Sequence, residues 1–463
     1  MRYWTAGVLL CMLVLPGCAT LREVGPTDTL APAAEMSVSP TITGPKGVVS
    51  PRASRSLMTK RWKNSYADLA ALARVEEVIT SEPLIAGNKL TLLYDGPQTM
   101  SAMAESMRGA RDHINLETYI FEDDSVGGQI AQILIDKSRE GVKVHVMYDS
   151  VGTIGTPLAF FEKMRAAGVT LLEFNPVNPI KRLGWWELNS RDHRKLLVVD
   201  GTVAYTGGIN ISGTYANSSL FRSKSRRDGK VGWRDTHVKV EGPAVAALQI
   251  EFLRNWSGQQ APNQPTPDLA DANFFPPLSA KGDTLVRVLA SAPDGEQEIF
   301  KSYLLAIRSA QKSIHITNAY FVPDPQILQA LMDAARRGVD VKLVLAGVQE
   351  SGLAYFAGQS FYEAMLASGI QLFQLQLSVL HAKTAVIDGL WSTVGSANID
   401  RRSFLHNYEL NVMVYDITVG TAMEEAFTED LRLSKKVTAA EWAQRPAVQR
   451  VKEWFSSRFE YWL

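Results

Sequence analysis

HINLETYIF at 113–121 and IHITNAYFV at 314–322 are two copies of one short β-rich pattern, and the segments behind each copy decide the fold. Behind the first comes IAQILIDKSREG (130–141) and behind the second ILQALMDAARRG (327–338). Both carry apolar residues at helical spacing, and both end on a glycine suited to the left-handed position past a helix C-terminus. VKVHVMYD (142–149) and VDVKLVLAG (339–347) then open as strands of β-branched residues. A second helix closes at RAAGV (165–169) and LASGI (366–370), and another apolar strand comes after each. Strands alternating with such helices predict an α/β fold of two homologous halves, each a mostly parallel sheet flanked by helices.

Downstream in each half the duplication carries chemistry. His193-Arg194-Lys195, then LLVV, lead to Asp200 and to Gly207-Gly208-Ile209-Asn210; His381-Ala382-Lys383, then TAVI, lead to Asp388 and to Gly395-Ser396-Ala397-Asn398 at the same offsets. Tyr119 and Tyr320 are 201 positions apart whereas His193 and His381 are 188 apart, so the first half carries 13 extra residues before its histidine, IKRLGWWELNSR (180–191) among them. The chain has only 7 histidines, which makes two chance copies of this spacing at equivalent positions untenable.

In a strand, residues two apart share a face, so each half presents an imidazole beside an ammonium. Two lysines match the charge that grows on a phosphodiester in its transition state, and Asn210 and Asn398 add amide donors. One neutral imidazole is suited to attack phosphorus while the other, protonated, donates to the departing oxygen and then serves as base for the acceptor. We expect His193 as nucleophile and His381 as acid and base, with no metal and no other cofactor. Asp200 and Asp388 sit five residues past each lysine, before a turn glycine, and are expected to be structural, as are the motif residues Gly207, Gly208, Gly395 and Ser396. His113, His145, His315 and His237 lie in or beside apolar strands and are expected to be packed rather than catalytic.

These residues are the two HKD motifs of the phospholipase D superfamily, which the sequence resembles from about residue 85 to about 435. The resemblance implies two phospholipase D-like halves packed as a pseudo-dimer with one shared active site, and an acid after each motif that orients a histidine. Asp235 in WRDTHVKVEGP and Glu409 in HNYELN stand at those places. ETYIFEDDSVG, HRKLLVVDG, TGGINIS, AYFVPD and LHAKTAVIDG together look most like bacterial cardiolipin synthases. That implies phosphatidyl transfer from one phospholipid to a hydroxyl of phosphatidylglycerol. A lipid hydrolase of the phospholipase D type shares the intermediate and stays as the alternative, with a secreted nuclease behind it.

Composition narrows the partners. Hydrophobic residues make up 46 % and charged residues 21 % of 463, values of a globular chain, and 48 basic residues against 48 acidic give no net charge, which argues against a nucleic-acid partner. Both cysteines fall within the first 18 residues, so no disulfide framework or cysteine metal site serves the folded body. Residues 1–18 combine Arg2 with an apolar run from Ala6 to Leu15 too short to span a bilayer. Leu15-Pro16-Gly17-Cys18 resembles a bacterial lipobox with Cys18 as the lipidated residue, against the alternative of an ordinary signal peptide; the lipoprotein reading implies a periplasm-facing anchor in the cell envelope, with Ala19 favouring the outer membrane. Residues 19–56 are expected to be a tether, 57–258 the first half, 259–283 a Pro-rich connector and 284–435 the second half. Between Arg222 and Arg234, the residues Arg222, Lys224, Arg226, Arg227, Lys230 and Arg234 face a single acid, Asp228, a loop suited to anionic headgroups or simply a solvated one. Trp185-Trp186 is either an interfacial wedge or a pocket wall. The last segment, 436–463, crowds aromatic residues among Arg and Lys in RPAVQRVKEWFSSRFEYWL (445–463), which fits a helix on a membrane surface or one docked on the body by its aromatic face.

Overall fold

The computed structural model describes residues 21, 39–62, 69–177, 189–216, 232–259, 272–293, 295–348 and 352–463. Within 39–56, expected to belong to the tether, Ile42–Gly44 and Gly47–Val48 are instead strands and Pro51 opens a helix. β1 (Ile42–Gly44) pairs in parallel with β2 (Leu84–Leu93), Ile42 opposite Leu84, and the Ile42 side chain is fully buried. A strand of three residues carries no readable period, which is why a Pro- and Thr-rich composition concealed it. The boundary at residue 57 is corrected for a related reason. α1 (Pro51–Trp62) and α2 (Leu69–Thr80) insert Met58, Trp62, Leu72 and Val75 among Phe300, Tyr303 and Leu304, in the core of the second half. Trp62 Nε1 donates to the Tyr415 carbonyl at 3.3 Å, and buried Glu76 pairs with buried Arg287. Ile42→Val is therefore expected to lower the denaturation midpoint by the equivalent of about 1 kcal/mol; a position in a free tether would show no shift.

In the first half β3 (His113–Thr118), α3 (Ser125–Arg139), β4 (Lys143–Asp149) and β5 (Thr170–Phe174) form a parallel unit, with α3 started by Asp124, whose carboxylate accepts the Val126 and Gly127 N–H groups. The sheet then turns antiparallel through β6 (Leu196–Val199), β7 (Val203–Gly207) and β8 (His237–Glu241), and α4 (Ala244–Gly258) covers it. The second half repeats the plan: β9 (Thr284–Ser291), α5 (Glu298–Ser309), then β10 (Ser313–Asn318), α6 (Pro325–Arg336), β11 (Asp340–Ala346), α7 (Gly352–Gln359) and β12 (Gln371–Leu375). β13 (Lys383–Ile387), β14 (Trp391–Gly395) and β15 (Asn407–Tyr415) are again antiparallel, with α8 (Ile417–Arg432) after them and, near the end of the chain, α9 (Ala447–Ser457). The α/β fold in two repeated halves is as expected, with a central parallel run of three strands in each repeat.

β2 pairs antiparallel with β8 on one side and with β9 on the other, so one strand joins the halves. Met147, Leu196, Val198 and Val238 of the first half share an apolar core with Val286, Val386 and Val412 of the second. Burial at that seam, rather than the connector, sets how the halves sit. The described end of the connector, 272–283, lies along the first half, where the Phe274 ring meets the edge of His113 at 4.8 Å. Among the described residues no helix is long and apolar enough to cross a membrane.

Candidate active site

Each histidine stands where a short strand of one half pairs with a strand of the other. Arg191–Asp192 pairs in parallel with Asn407–Tyr408, and Gly232–Arg234 with Ser378–Leu380. The His193 N–H donates to the Tyr408 carbonyl at 3.0 Å, and the His381 N–H to the Arg234 carbonyl at 2.8 Å. The residue after each accepting carbonyl is the acid. His193 Nδ1 lies 3.0 and 3.1 Å from the two carboxylate oxygens of Glu409, and His381 Nδ1 lies 2.8 Å from Asp235 Oδ2. The pairing is thus crossed: the acid of each half holds the imidazole of the other.

Both carboxylates are themselves held. Ser396 Oγ donates to Glu409 at 2.5 Å and Asn407 Nδ2 at 3.1 Å. A Cβ on Gly208 would run into the Asp235 carboxylate, and one on Gly395 into the Asn411 side chain, so these motif glycines leave the space that the site's polar groups occupy. A Cβ on Gly207, at φ +152°, would run into the Thr236 carbonyl, so the position tolerates no side chain. Asp200 and Asp388 point away from the chemistry. Each begins an Asp-Gly turn with positive φ at both residues, the geometry of a type I′ hairpin. Their carboxylates accept backbone N–H groups of Arg111, Asp112 and His113, and of Gln311, Lys312 and Ser313.

Lys195 Nζ donates to the His193 carbonyl at 2.5 Å, and Lys383 Nζ to the His381 carbonyl. Asn210 accepts the Ile120 N–H at 3.2 Å and gives its amide to the Tyr215 hydroxyl at 2.8 Å, whereas the buried Asn398 Oδ1 has no partner among the described residues. Burial, and then the positive charges of Lys195, Lys383 and Arg402, hold His193 well below the usual imidazole range, so it is neutral at neutral pH. Burial also brings Lys195 down to about 7 and lifts Glu409 to about 7, each resisted by the other's charge.

Three aromatic residues escaped the sequence reading. Tyr119 meets His193 edge-on at 5.3 Å and lies 5.3 Å from Lys195 Nζ, while Tyr215 and Trp233 flank His381 at 5.3 and 5.4 Å. The match of Tyr119 to Tyr320 in the repeat was a usable signal for the first; Tyr215 and Trp233 have no counterpart that sequence alone exposes. His113, His145, His237 and His315 lie elsewhere or are spent on packing: His237 Nδ1 accepts the Ile209 N–H at 3.4 Å, and His315 stacks on Phe427 at 4.6 Å. Cys18, Trp185, Trp186 and the basic residues Arg222, Lys224, Arg226, Arg227 and Lys230 lie outside the described residues. Arg234, counted with that loop, is instead buried against Asp430.

Comparison with known proteins agrees with this geometry. A family model described as cardiolipin synthase, PLD-like domain, matches residues 103–220 and 303–431, one stretch in each half. The cardiolipin synthase of Geobacillus kaustophilus is 34 % identical over 386 residues, 82 % of this chain and 74 % of that protein. The major cardiolipin synthase ClsA of Bacillus subtilis is 36 % identical over 370 residues, 79 % of this chain and 73 % of that one. The crystal structure of phosphatidylserine synthase from Haemophilus influenzae superposes with a TM-score of 0.62 at 15 % identity, covering 85 % of this chain and 100 % of that one, a likeness of fold. With both HKD motifs in one crossed site and kinship over four-fifths of its length, the chain belongs to the cardiolipin synthase family of phospholipase D-like enzymes.

Proposed function

We propose that the protein joins two phosphatidylglycerol molecules, transferring a phosphatidyl group from one to a glycerol hydroxyl of the other and releasing glycerol. The observation that carries this reading is the crossed pair itself: two imidazoles, each with Nδ1 on a buried carboxylate, beside two lysines. His193 is neutral and attacks phosphorus through Nε2, forming a phosphatidyl-histidine as the P–O bond to the departing glycerol breaks. His381 gives that oxygen its proton, then takes the proton of the incoming hydroxyl as this attacks phosphorus and releases His193. Lys195 and Lys383 neutralise charge on the phosphoryl oxygens, Asn210 and Asn398 donate to them, and Glu409 and Asp235 fix the tautomer of each ring. Arg222, Lys224, Arg226 and Arg227 receive anionic headgroups, and a lipid on Cys18 ties the enzyme to the periplasmic side of the envelope, at the outer membrane.

Product analysis on phosphatidylglycerol vesicles tests this: cardiolipin and glycerol in equal amounts are expected, whereas phosphatidate alone makes the protein a hydrolase. The pH profile of kcat/KM is expected to be bell-shaped. Its acid limb falls below pH 6.5, because His193 must be neutral and its surroundings oppose protonation, and its basic limb sets in as Lys195 loses its proton near pH 7 and above. Arg402→Gln removes one of the charges that depress His193 and moves the acid limb upward; an unmoved limb would assign it to another group. A base whose folded pKa is depressed stabilises the fold above its unfolded pKa, so the contribution of His193 is lost as pH falls below 6.5.

A further inference from the structure

α9 is amphipathic the wrong way round for a helix of a protein surrounded by water. Its polar side faces the body: Gln449 Nε2 donates to Gln359 of α7 at 3.0 Å, Glu453 takes Arg445 Nε at 3.1 and 3.0 Å, and Ser456 is buried. Its apolar side faces out, with Val448 67 %, Val451 63 %, Trp454 59 % and Phe455 54 % exposed, continued by Phe459 and Trp462 past its end. Positions 448, 451, 455, 459 and 462 succeed one another at three or four residues, so they form one stripe, where scattered exposed apolar groups would need no explanation. Arg450, Lys452 and Arg458 border it, the last lying 5.1 Å over the Trp454 ring.

The stripe adjoins the site. The Arg402 N–H donates to the Leu463 carbonyl at 2.9 Å, and its guanidinium bonds both the Trp462 carbonyl at 3.1 Å and Asn189 Oδ1 at 3.2 Å. Asn189 stands four residues before His193, and Arg402 four residues after Asn398. Other exposed apolar side chains lie along the same edge. Lys383 is opposite Asn318, the last residue of β10, and Lys195 precedes Leu196, which is opposite Glu117 near the end of β3, so the site sits at the carboxyl ends of the parallel strands. Ile154 and Leu158, 77 % and 65 % exposed, come just past the carboxyl end of β4, and Leu377, 47 % exposed, just past that of β12.

We propose that this stripe, with Ile154, Leu158 and Leu377, rests on an anionic phospholipid bilayer and sets the mouth of the site against it, so that lipid enters without crossing water. The apolar groups meet the acyl boundary and the bordering cations meet the headgroups. The inference rests on the reading of the substrate as a membrane phospholipid. Its test uses the full chain reconstituted in phosphatidylglycerol vesicles doped with a phosphatidylglycerol that bears an acyl-chain photocrosslinker, with adducts mapped by peptide mass spectrometry. Adducts between Val448 and Trp462 are expected. The variant Val451→Ser/Trp454→Ser/Phe455→Ser, altered only at exposed positions, is expected to lose tenfold or more of its turnover on vesicles and less than twofold on monomeric short-chain phosphatidylglycerol. Vesicle turnover without adducts in that segment would overturn the proposal, and so would equal loss, or no loss, on both substrates. A wild-type chain with no turnover on either substrate would sink the transfer reading, while the adduct map would still decide the docking.

Discussion

His193→Ala is expected to slow phosphatidyl transfer by about 10⁶-fold, with no lipid phosphate left covalently on quenched protein. The reason is that no other group near phosphorus matches it. Lys195 is committed to the His193 carbonyl and to charge neutralisation, and the remaining imidazole, His381 of the second half, is held by Asp235. His381→Ala is expected to cost less, about 10²–10⁴-fold, because water replaces a proton donor more readily than a nucleophile. The crossed acids refine the test. Glu409→Gln acts on the ring that carries the covalent intermediate and Asp235→Asn on the ring that moves the proton, so each acid should fail to worsen the rate once its own histidine is gone and still worsen it when the other is gone. A measurement of radiolabelled phosphatidyl incorporation alongside the rate separates the two arms. A covalent adduct surviving in His193→Ala would reverse the assignment of nucleophile, and Glu409 coupled to His381 would contradict the crossed pairing.

The halves and the paired imidazoles were legible because they repeat at offsets that strand geometry explains: His and Lys two apart on one face, and Asp-Gly five residues on. That Asp-Gly was also a hairpin signal, and reading it as such would have announced that the sheet turns antiparallel behind each motif. The crossing of the acids was not legible. It depends on Tyr408 receiving His193 and Arg234 receiving His381 across separations of 215 and 147 residues, and no local period encodes such pairings. α2 failed for a neighbouring reason, since an apolar stripe says that it must be covered and not by which half. The same limit applied to 445–463: its aromatic residues were visible, but that the polar side is the docked one is settled by Gln359 of α7, a partner elsewhere in the chain.

Asp430→Ala is expected to destabilise the protein by about 3–5 kcal/mol, because it leaves a buried guanidinium without its counter-charge. Arg234, from the first half, donates Nε to Asp430 Oδ1 at 2.7 Å and Nη2 to Oδ2 at 2.9 Å in the second, and both side chains are buried. Burial raises the Asp430 carboxyl above its usual range even with that arginine beside it, which marks the surroundings as costly for any unpaired charge. Arg234 also donates to the Asp235 carbonyl at 2.5 Å and to Thr236 Oγ1 at 2.7 Å, so it ties down the segment that presents Asp235 to His381. The defect should therefore reach catalysis as well as stability: at a temperature where Asp430→Ala is still folded, turnover should fall as in Asp235→Asn, with His381 as the arm that suffers. Arg234→Met/Asp430→Leu removes both charges and should recover most of the stability, since a buried ion pair exchanged for apolar groups of similar size is often neutral. It should not recover the rate, because Asp235 and Thr236 still lack the donors that hold them. A midpoint shift under about 1 kcal/mol for Asp430→Ala would mean that the pair does not hold the seam between the halves, and a double variant with full turnover would mean that it holds the seam without serving the site.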